Sequence, residues 1–406
     1  MVIHSRNRTR GALLAVGLAA FAVAFSSATL LAAAQSHRHR AILEVSNSLA
    51  IARTETVIEL PLADVLAHTG LADAREIIVE DGATGRPLPF QLYGTPGAEK
   101  PDRILVLVSV GAKQTIRLAF RESGIERKQV PLVFGRLVPE RKDDFAWEND
   151  KVAYRVYGPA LEATGEISSG IDVWSKRVPA LIINDWYHRD AEGARTKNPA
   201  LSYHKDDGTG LDSYDVGRTR GCGGTGVWAG GKLYVSKNFT SAKILAAGPL
   251  RFSFELEYAP WDAAGTMVSE KKIITLDAGS HLNRIESTLT FAGVPTGDFA
   301  VGLAMHKRAD VSSPVTGKIL SVWEPLTDAT AGFDGTAIVM PNDRSATVAR
   351  ADGNALLVVS AHSGEAITYF TGAAWSKSDM PSQQSWNEYL SEFHQEQQHP
   401  LALHWK

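Results

Sequence analysis

Between Asn184 and Gly231 the chain gathers side chains that can move protons. Two aromatic–histidine pairs, Tyr187-His188 and Tyr203-His204, lie near Asp190, Asp206, Asp207, Asp212 and Asp215, and Tyr214, Arg218 and Arg220 follow. Histidine titrates near neutral pH and a tyrosine beside a cation can exchange its proton, so the set suits general acid–base chemistry. The segment is rich in Gly, Asp and His and reads as a long irregular excursion, the kind of loop that carries sites. Its aromatics, Trp186, Tyr187, Tyr203, Tyr214 and Trp228, argue against disorder. The same residue types also have structural uses, since loop histidines satisfy carbonyls and aspartates cap turns. A second cluster, Arg141, Trp147, Glu148 and Asn149, offers a guanidinium, a flat ring, a carboxylate and an amide. Sugars are gripped by such groups, while the alternative is a polar loop with its Trp plugged into the core. A third, His306-Lys307-Arg308, reads as an exposed basic turn.

Other chemistries fit less well. His204, Asp206, Asp207 and Asp212 could offer nitrogen and oxygen donors to a divalent cation, but their spacing matches neither an EF-hand nor His-Glu-x-x-His, so no resident cofactor is expected, with a bound divalent cation as the alternative. The run Gly221-Cys222-Gly223-Gly224-Thr225-Gly226 lacks the Lys-Ser/Thr of a phosphate loop and reads as a turn letting backbones approach closely. Cys222 is the only cysteine in the 406 residues, which excludes an intrachain disulfide and a thiolate metal cluster.

These residues must be positioned by strands. Period-two alternation dominates from Ala41 onward: in Arg251–Tyr258, Phe252, Phe254, Leu256 and Tyr258 share one face. Lys272–Leu276, a turn at Asp277-Ala278-Gly279-Ser280 and Asn283–Phe291 read as a hairpin. Further strands are expected at Ile42–Ser46, Val57–Leu60, Arg103–Val108, Thr115–Phe120, Val152–Tyr157, Lys232–Ser236, Phe299–Met305, Leu356–Ser360 and Ile367–Thr371. Helix is scarce. One is predicted after Ser382, where Trp386, Tyr389, Leu390 and Phe393 recur at helical spacing, and a closing strand follows Pro400.

Arg6, Arg8 and Arg10 precede an uncharged run, Gly11 to Phe25, and small residues Ala32-Ala33-Ala34 follow, as in a cleaved export signal. An uncleaved anchor is the alternative. The expected division is a signal peptide at 1–34, a small N-terminal β-sandwich at 35–125, a linker at 126–144 and a catalytic β-domain at 145–406. The mature protein is then periplasmic or secreted, without stable membrane insertion. Cleavage removes three arginines and no acid, which moves the net charge from −3 to −6 and gives no basic surface for nucleic acid.

Several phrases together resemble a known family. Asp144-Phe145-Ala146-Trp147-Glu148-Asn149-Asp150, Tyr203-His204 followed by Gly210-Leu211-Asp212 and Tyr214, Gly248-Pro249-Leu250-Arg251, Leu276-Asp277-Ala278-Gly279-Ser280 and Gly372-Ala373-Ala374-Trp375-Ser376-Lys377 resemble the secreted bacterial family known as domain of unknown function 4861. That family is similar to galactose-mutarotase-like proteins, which implies a mostly β fold, an antiparallel β-supersandwich. The resemblance extends to ulvan oligosaccharide dehydratases. It implies a lyase acting on the non-reducing-end uronic acid of an oligosaccharide, eliminating across C4 and C5. Such chemistry would use His204 and Tyr214 for proton transfer with His188 as a further candidate, Asp212 to orient the imidazole, and Arg218 or Arg141 on the substrate carboxylate. Trp147, Glu148, Asn149, Tyr187, Tyr203 and Arg220 complete the expected substrate contacts. An aldose epimerase or mutarotase, and a non-catalytic glycan-binding protein, are the alternative readings.

Overall fold

A computed structural model describes residues 40–123, 128–306, 310–312, 318–341 and 344–406, so the expected signal peptide lies outside the described residues. Among those described, no helix is long and apolar enough to cross a membrane.

The alternating N-terminal segments form two small sheets facing each other. Arg40–Ser46, Thr115–Glu122, Ile77–Asp81 and the chain's last strand, Ala402–Trp405, make one, and Arg53–Pro61, Arg103–Val110 and Phe90–Tyr93 make the other. Leu43, Val45, Ile104, Val106, Leu118 and Phe120 fill the space between them, joined by Val65 from a short helix, Leu62–Thr69. Each such fully buried side chain contributes about 1.5–3 kcal/mol. The terminal strand pairs Leu43 with Trp405 and ties the far end of the chain to the first sheet.

The larger part is a sandwich around an eight-stranded antiparallel sheet. Its order is Phe239–Ala247, Arg251–Ala263, Thr266–Asp277, Leu282–Phe291, Ala366–Trp375, Phe333–Val339, Ile319–Pro325 and Asp310–Ser312. Register places Phe254 opposite Ile274, Ile274 opposite Ile285 and Ile285 opposite Tyr369, so alternate residues build one apolar face. Two five-stranded sheets cover it. One runs Val133–Val138, Asp144–Asn149, Ala153–Val156, Asp172–Lys176, Gly210–Leu211. The other runs Lys232–Tyr234, Cys222–Ala229, Thr296–Ala304, Asn354–His362, Thr347–Ala351. All three share one core, from Phe145, Trp147 and Tyr154 through Val301 and Leu303 to Phe252 and Phe254. The two covering sheets meet at an isolated bridge between Ile171 and Gly221. There Gly221 has φ +56°, and a Cβ would sit 2.1 Å from the Ile171 carbonyl, so backbones do pass closely as expected, although Cys222–Gly226 runs within the strand Cys222–Ala229 and not in a turn.

On the sheet's outer face lies the expected C-terminal helix, Gln383–Gln398. Ser382 caps it in a reciprocal bond with Ser385, and Trp386 and Leu390 pack on Leu282, Val339 and Phe370.

Two expectations need correction. Within the segment read as a linker, Val133–Val138 is a strand of the five-stranded sheet, with Val133 and Val138 buried; the charges at Arg136 and Glu140 lie on its outward side and at its end, and masked the alternation. The segment read as one long irregular loop contains a 14-residue helix, Ile183–Thr196, besides the strands Gly210–Leu211 and Cys222–Ala229. Ile183, Trp186 and Tyr187 make its buried stripe. Asp185 in the first turn and Arg195 in the last suit the helix dipole.

Candidate functional site

Where the first covering sheet meets the ends of the central strands, a cavity of about 730 Å³ opens, within the usual size for a small-molecule site. Its walls carry Arg155 and Tyr157 from the end of the Ala153–Val156 strand and the His204–Asp206 and Leu211–Val216 stretches. Thr327–Asp328, Thr330–Ala331 and Lys377, from turns after the central strands, complete it.

His204, Asp212 and Tyr214 are brought together here. The His204 Nδ1 lies 2.9 Å from the Asp212 backbone carbonyl and so carries the proton, which leaves the Nε2 lone pair available. The Asp212 carboxylate is farther, at 3.6 Å from Nδ1. The imidazole is therefore oriented chiefly by the carbonyl of Asp212, with the carboxylate as an outer partner. The His204 side chain is 59% exposed and open to a ligand. Tyr214 is buried, and its hydroxyl has no hydrogen-bond partner in the protein. Such a group costs free energy unless something else satisfies it; Tyr214 is part of the cavity wall, while its hydroxyl itself is buried. Burial holds the Tyr214 phenol well above its ordinary pKa, so it enters any reaction protonated.

Behind this wall lies a cluster the sequence reading missed. Arg155, buried, donates to Asp172 Oδ2 at 3.0 and 2.5 Å and to Asp212 Oδ2 at 3.2 Å, with Asp144 Oδ2 at 3.9 Å and the Tyr203 hydroxyl at 3.4 Å. Three carboxyls share one buried guanidinium, so burial pushes protons onto them: Asp144 rises to about 6, and Asp172 and Asp212 are both raised. A charge inside an otherwise buried strand, as at Arg155 and Asp172, is the signal that could have found them.

The remaining expected contacts fall elsewhere. Tyr187 and Tyr203 pack with Trp174, at ring distances of 5.1 and 4.9 Å, in an aromatic box beside Arg155. Tyr203 and Trp174 lie against the Arg155 guanidinium while Tyr187 lies under Arg136, and neither tyrosine lines the cavity. Trp147, Glu148 and Asn149 are buried because their strand is covered on both faces. Trp147 donates to Asn283 Oδ1, and Asn149 donates to the carbonyls of Asp277 and Ser280. Glu148 accepts from Lys176 Nζ at 2.7 Å and from the backbone N–H groups of Ile182 and Ile183, where it caps the Ile183–Thr196 helix. His188 is exposed on that helix near Glu192, away from the cavity. Arg218 is exposed outside the cavity, and Arg220 is buried against Ser169 and the Thr225 carbonyl, so neither meets a ligand there. Arg141 sits half-buried near Tyr203, 3.8 Å from Glu166. The cations lining the cavity are Arg155, Lys205 and Lys377.

Asp206 and Asp207 are paired with Arg177 and Arg189, and among the described residues no group of three or more His, Cys, Asp or Glu is placed to hold a metal ion. Burial pushes the Cys222 thiol up to about 12, so it offers no thiolate.

The architecture is that of an antiparallel β-sandwich protein with a polar cavity at the end of its sheets. A protein in the glycosyl hydrolase family 38 from Enterococcus faecalis has a similar fold, with a TM-score of 0.50 and 9% identity over 91% of this chain and 47% of that one. An alpha-mannosidase from the same organism matches with a TM-score of 0.49 and 10% identity over 95% of this chain and 48% of that one. The chain thus spans about half the length of these solved chains. A Formosa agariphila protein described as "Uncharacterized protein P7" is 33% identical over 391 residues, covering 91% of this chain and 94% of that protein. The chain belongs to the family described as Domain of unknown function (DUF4861), whose profile matches residues 45–403.

Proposed function

We propose that the cavity binds the non-reducing-end uronic acid of an oligosaccharide and removes water across C4 and C5. The observation that carries this reading is the cavity wall on which the His204 imidazole, with Nε2 free, lies beside Asp212 and Tyr214, whose buried hydroxyl has no partner in the protein. Elimination needs a base for the C5 proton and an acid for the C4 oxygen. His204 Nε2 takes the C5 proton, the electron pair forms the C4=C5 double bond, and the C4–O bond breaks. The departing oxygen accepts a proton from the Tyr214 hydroxyl and leaves as water, and the proton on His204 returns to the tyrosinate through solvent. The C5 proton becomes acidic only when the adjoining carboxylate is neutralised, and Lys377, Lys205 and Arg155 are the cations within the cavity. The fold shared with a glycosyl hydrolase family 38 protein is compatible with a sugar ligand. Export directed by residues 1–34 would bring the enzyme to such glycans in the periplasm or outside the cell.

Incubation with uronate-ended oligosaccharides, followed by ultraviolet absorbance of the conjugated double bond, tests the reading. Tyr214→Phe and His204→Gln should each lower the rate at least a hundredfold while the protein stays folded. Full activity in both variants sinks the assignment. A second reading, aldose epimerisation, is favoured by Asp212, a carboxyl raised by burial beside a histidine. It requires change at C1 with no new absorbance, so the same incubation separates the two.

A further inference from the structure

His306, expected to sit in an exposed basic turn, is instead fixed at both ring nitrogens, while Lys307 and Arg308 lie outside the described residues. Its Nδ1 is 2.6 Å from Glu324 Oε1, its Nε2 is 2.8 Å from the backbone carbonyl of Asp215, and its own backbone N–H donates to Glu324 Oε2 at 3.0 Å. Both acceptors can only accept, so both ring nitrogens must carry protons and the ring is an imidazolium. The ring meets Tyr214 edge-on, with centroids 5.7 Å apart and planes at 90°. Glu324 is buried on a central strand, so the clamp ties the loop bearing Tyr214 and Asp215 to the rigid sheet.

Resting on the elimination reading, we propose that His306 is a positioning residue: as an imidazolium held between Glu324 and the Asp215 carbonyl, it fixes the backbone of Tyr214 and Asp215 where these residues line the cavity. The clamp holds only while the ring is charged, because a neutral imidazole has one donor and must release either the carboxylate or the carbonyl. Among the described residues, the groups facing the ring are Glu324 and Asp334 from neighbouring central strands and Asp215 and Tyr214 from the loop. The hydrogen bond to Glu324 is the largest influence and holds His306 up at about 9, so the clamp stays closed across neutral pH.

The test uses the full chain with ¹³C-labelled histidine and tyrosine, His306 and Tyr214 being assigned from His306→Gln and Tyr214→Phe. In the wild type the His306 signal should titrate near pH 9 and the Tyr214 ring signals should shift with it. Glu324→Gln keeps the shape but removes the charge, and should bring both titrations down together by at least one unit. If His306 titrates near its ordinary value in the wild type, or if the Tyr214 signals do not follow it, the proposal is overturned whatever the substrate. On a uronate-ended oligosaccharide, the alkaline limb of kcat should move down by the same interval in Glu324→Gln, with KM changed less than threefold. A uniform loss of activity with an unmoved limb would reduce the pair to a structural role and overturn the proposal. Absence of turnover in the wild type would sink the elimination reading alone, since the two titrations need no substrate.

Discussion

Glu148 separates a structural from a substrate-binding role most sharply. Its carboxylate is fully buried, with Lys176 Nζ at 2.7 Å and the N–H groups of Ile182 and Ile183 at 2.9 and 2.8 Å. Glu148→Gln keeps the shape and one acceptor oxygen but removes the charge. Lys176, also fully buried, then meets only neutral acceptors, the amide oxygen and the Asn149 carbonyl, and breaking a buried ion pair in this way costs about 3–5 kcal/mol. The new amide also points N–H against N–H at the start of the helix, adding about 1 kcal/mol or more. Urea unfolding should therefore show a loss of about 4 kcal/mol or more. Glu148→Gln with Lys176→Met removes the stranded charge too and should recover at least half of that loss. Binding of a uronate-ended oligosaccharide, measured below the unfolding transition, should change less than threefold, because Glu148 does not reach the cavity. A loss under 1 kcal/mol, or a double variant no better than the single one, would refute the reasoning. A tenfold loss of binding in a folded Glu148→Gln protein would return the residue to the substrate.

Three further outcomes are expected. Arg155→Met leaves Asp144, Asp172 and Asp212 without their shared cation, so it should destabilise by about 3–5 kcal/mol at pH 8 and by clearly less at pH 5.5, where the carboxyls hold protons; a pH-independent loss in urea unfolding would contradict it. The wild-type melting temperature should fall from pH 5 to pH 9. Burial raises Asp144 and Asp334 from 3.8 to about 6 and about 7, and Glu324 raises His306 from 6.5 to about 9. Each folded-state pKa lies above its unfolded value, so the stability it contributes is complete below the unfolded value and lost as pH rises through the folded one; calorimetry showing a flat or rising profile would be inconsistent with these sites. Lys377→Met should weaken binding of a uronate-ended oligosaccharide about tenfold, roughly 1.4 kcal/mol, and leave binding of the matching neutral oligosaccharide unchanged; equal weakening of both in titration calorimetry would remove Lys377 from carboxylate recognition.

The strands were legible because their cores face one side. Phe252, Phe254 and Leu256 alternate with polar residues, and the observed register puts them on the shared core as the alternation requires. The C-terminal helix was legible for a similar reason, through four residues at helical spacing and a serine cap. The Ile183–Thr196 helix was not, since its apolar stripe ends at Tyr187 and its second half packs through Gly193, where a Cβ would lie 2.9 Å from the Asn198 carbonyl. His204, Asp212 and Tyr214 could be nominated because they sit in one short stretch. Arg155 and Asp172 show only as charges within otherwise apolar strands, and Glu324 and Lys377 carry no such signal, because separate strands and turns bring the four together. Trp147, Glu148 and Asn149 were misjudged because sugar sites and buried hydrogen-bond networks use the same residue types, and only burial tells them apart.

The charge of the molecule acquires a local meaning from this arrangement. If Asp144, Asp172 and Asp212 were all ionised, the surroundings of Arg155 would be negative, and an anionic sugar would meet repulsion at the wall that is to act on it. Burial raises all three carboxyls, Asp144 to about 6, so part of that charge is lost as the pH falls toward that value, without further cations. Arg155 is then free of part of its demand from the aspartates, and Lys377 and Lys205, exposed at the mouth, can decide the sign of the field that a ligand meets. The aromatic box of Trp174, Tyr187 and Tyr203 supports the same economy of charge. Within it Trp174 and Tyr203, with Tyr157 beside them, hold the guanidinium by their flat faces, so that Arg155 need not be matched by one carboxylate for each of its hydrogen-bonding edges. The proposed acidic ligand would therefore be better accepted as the pH falls and the buried aspartates gain protons, with no basic surface required.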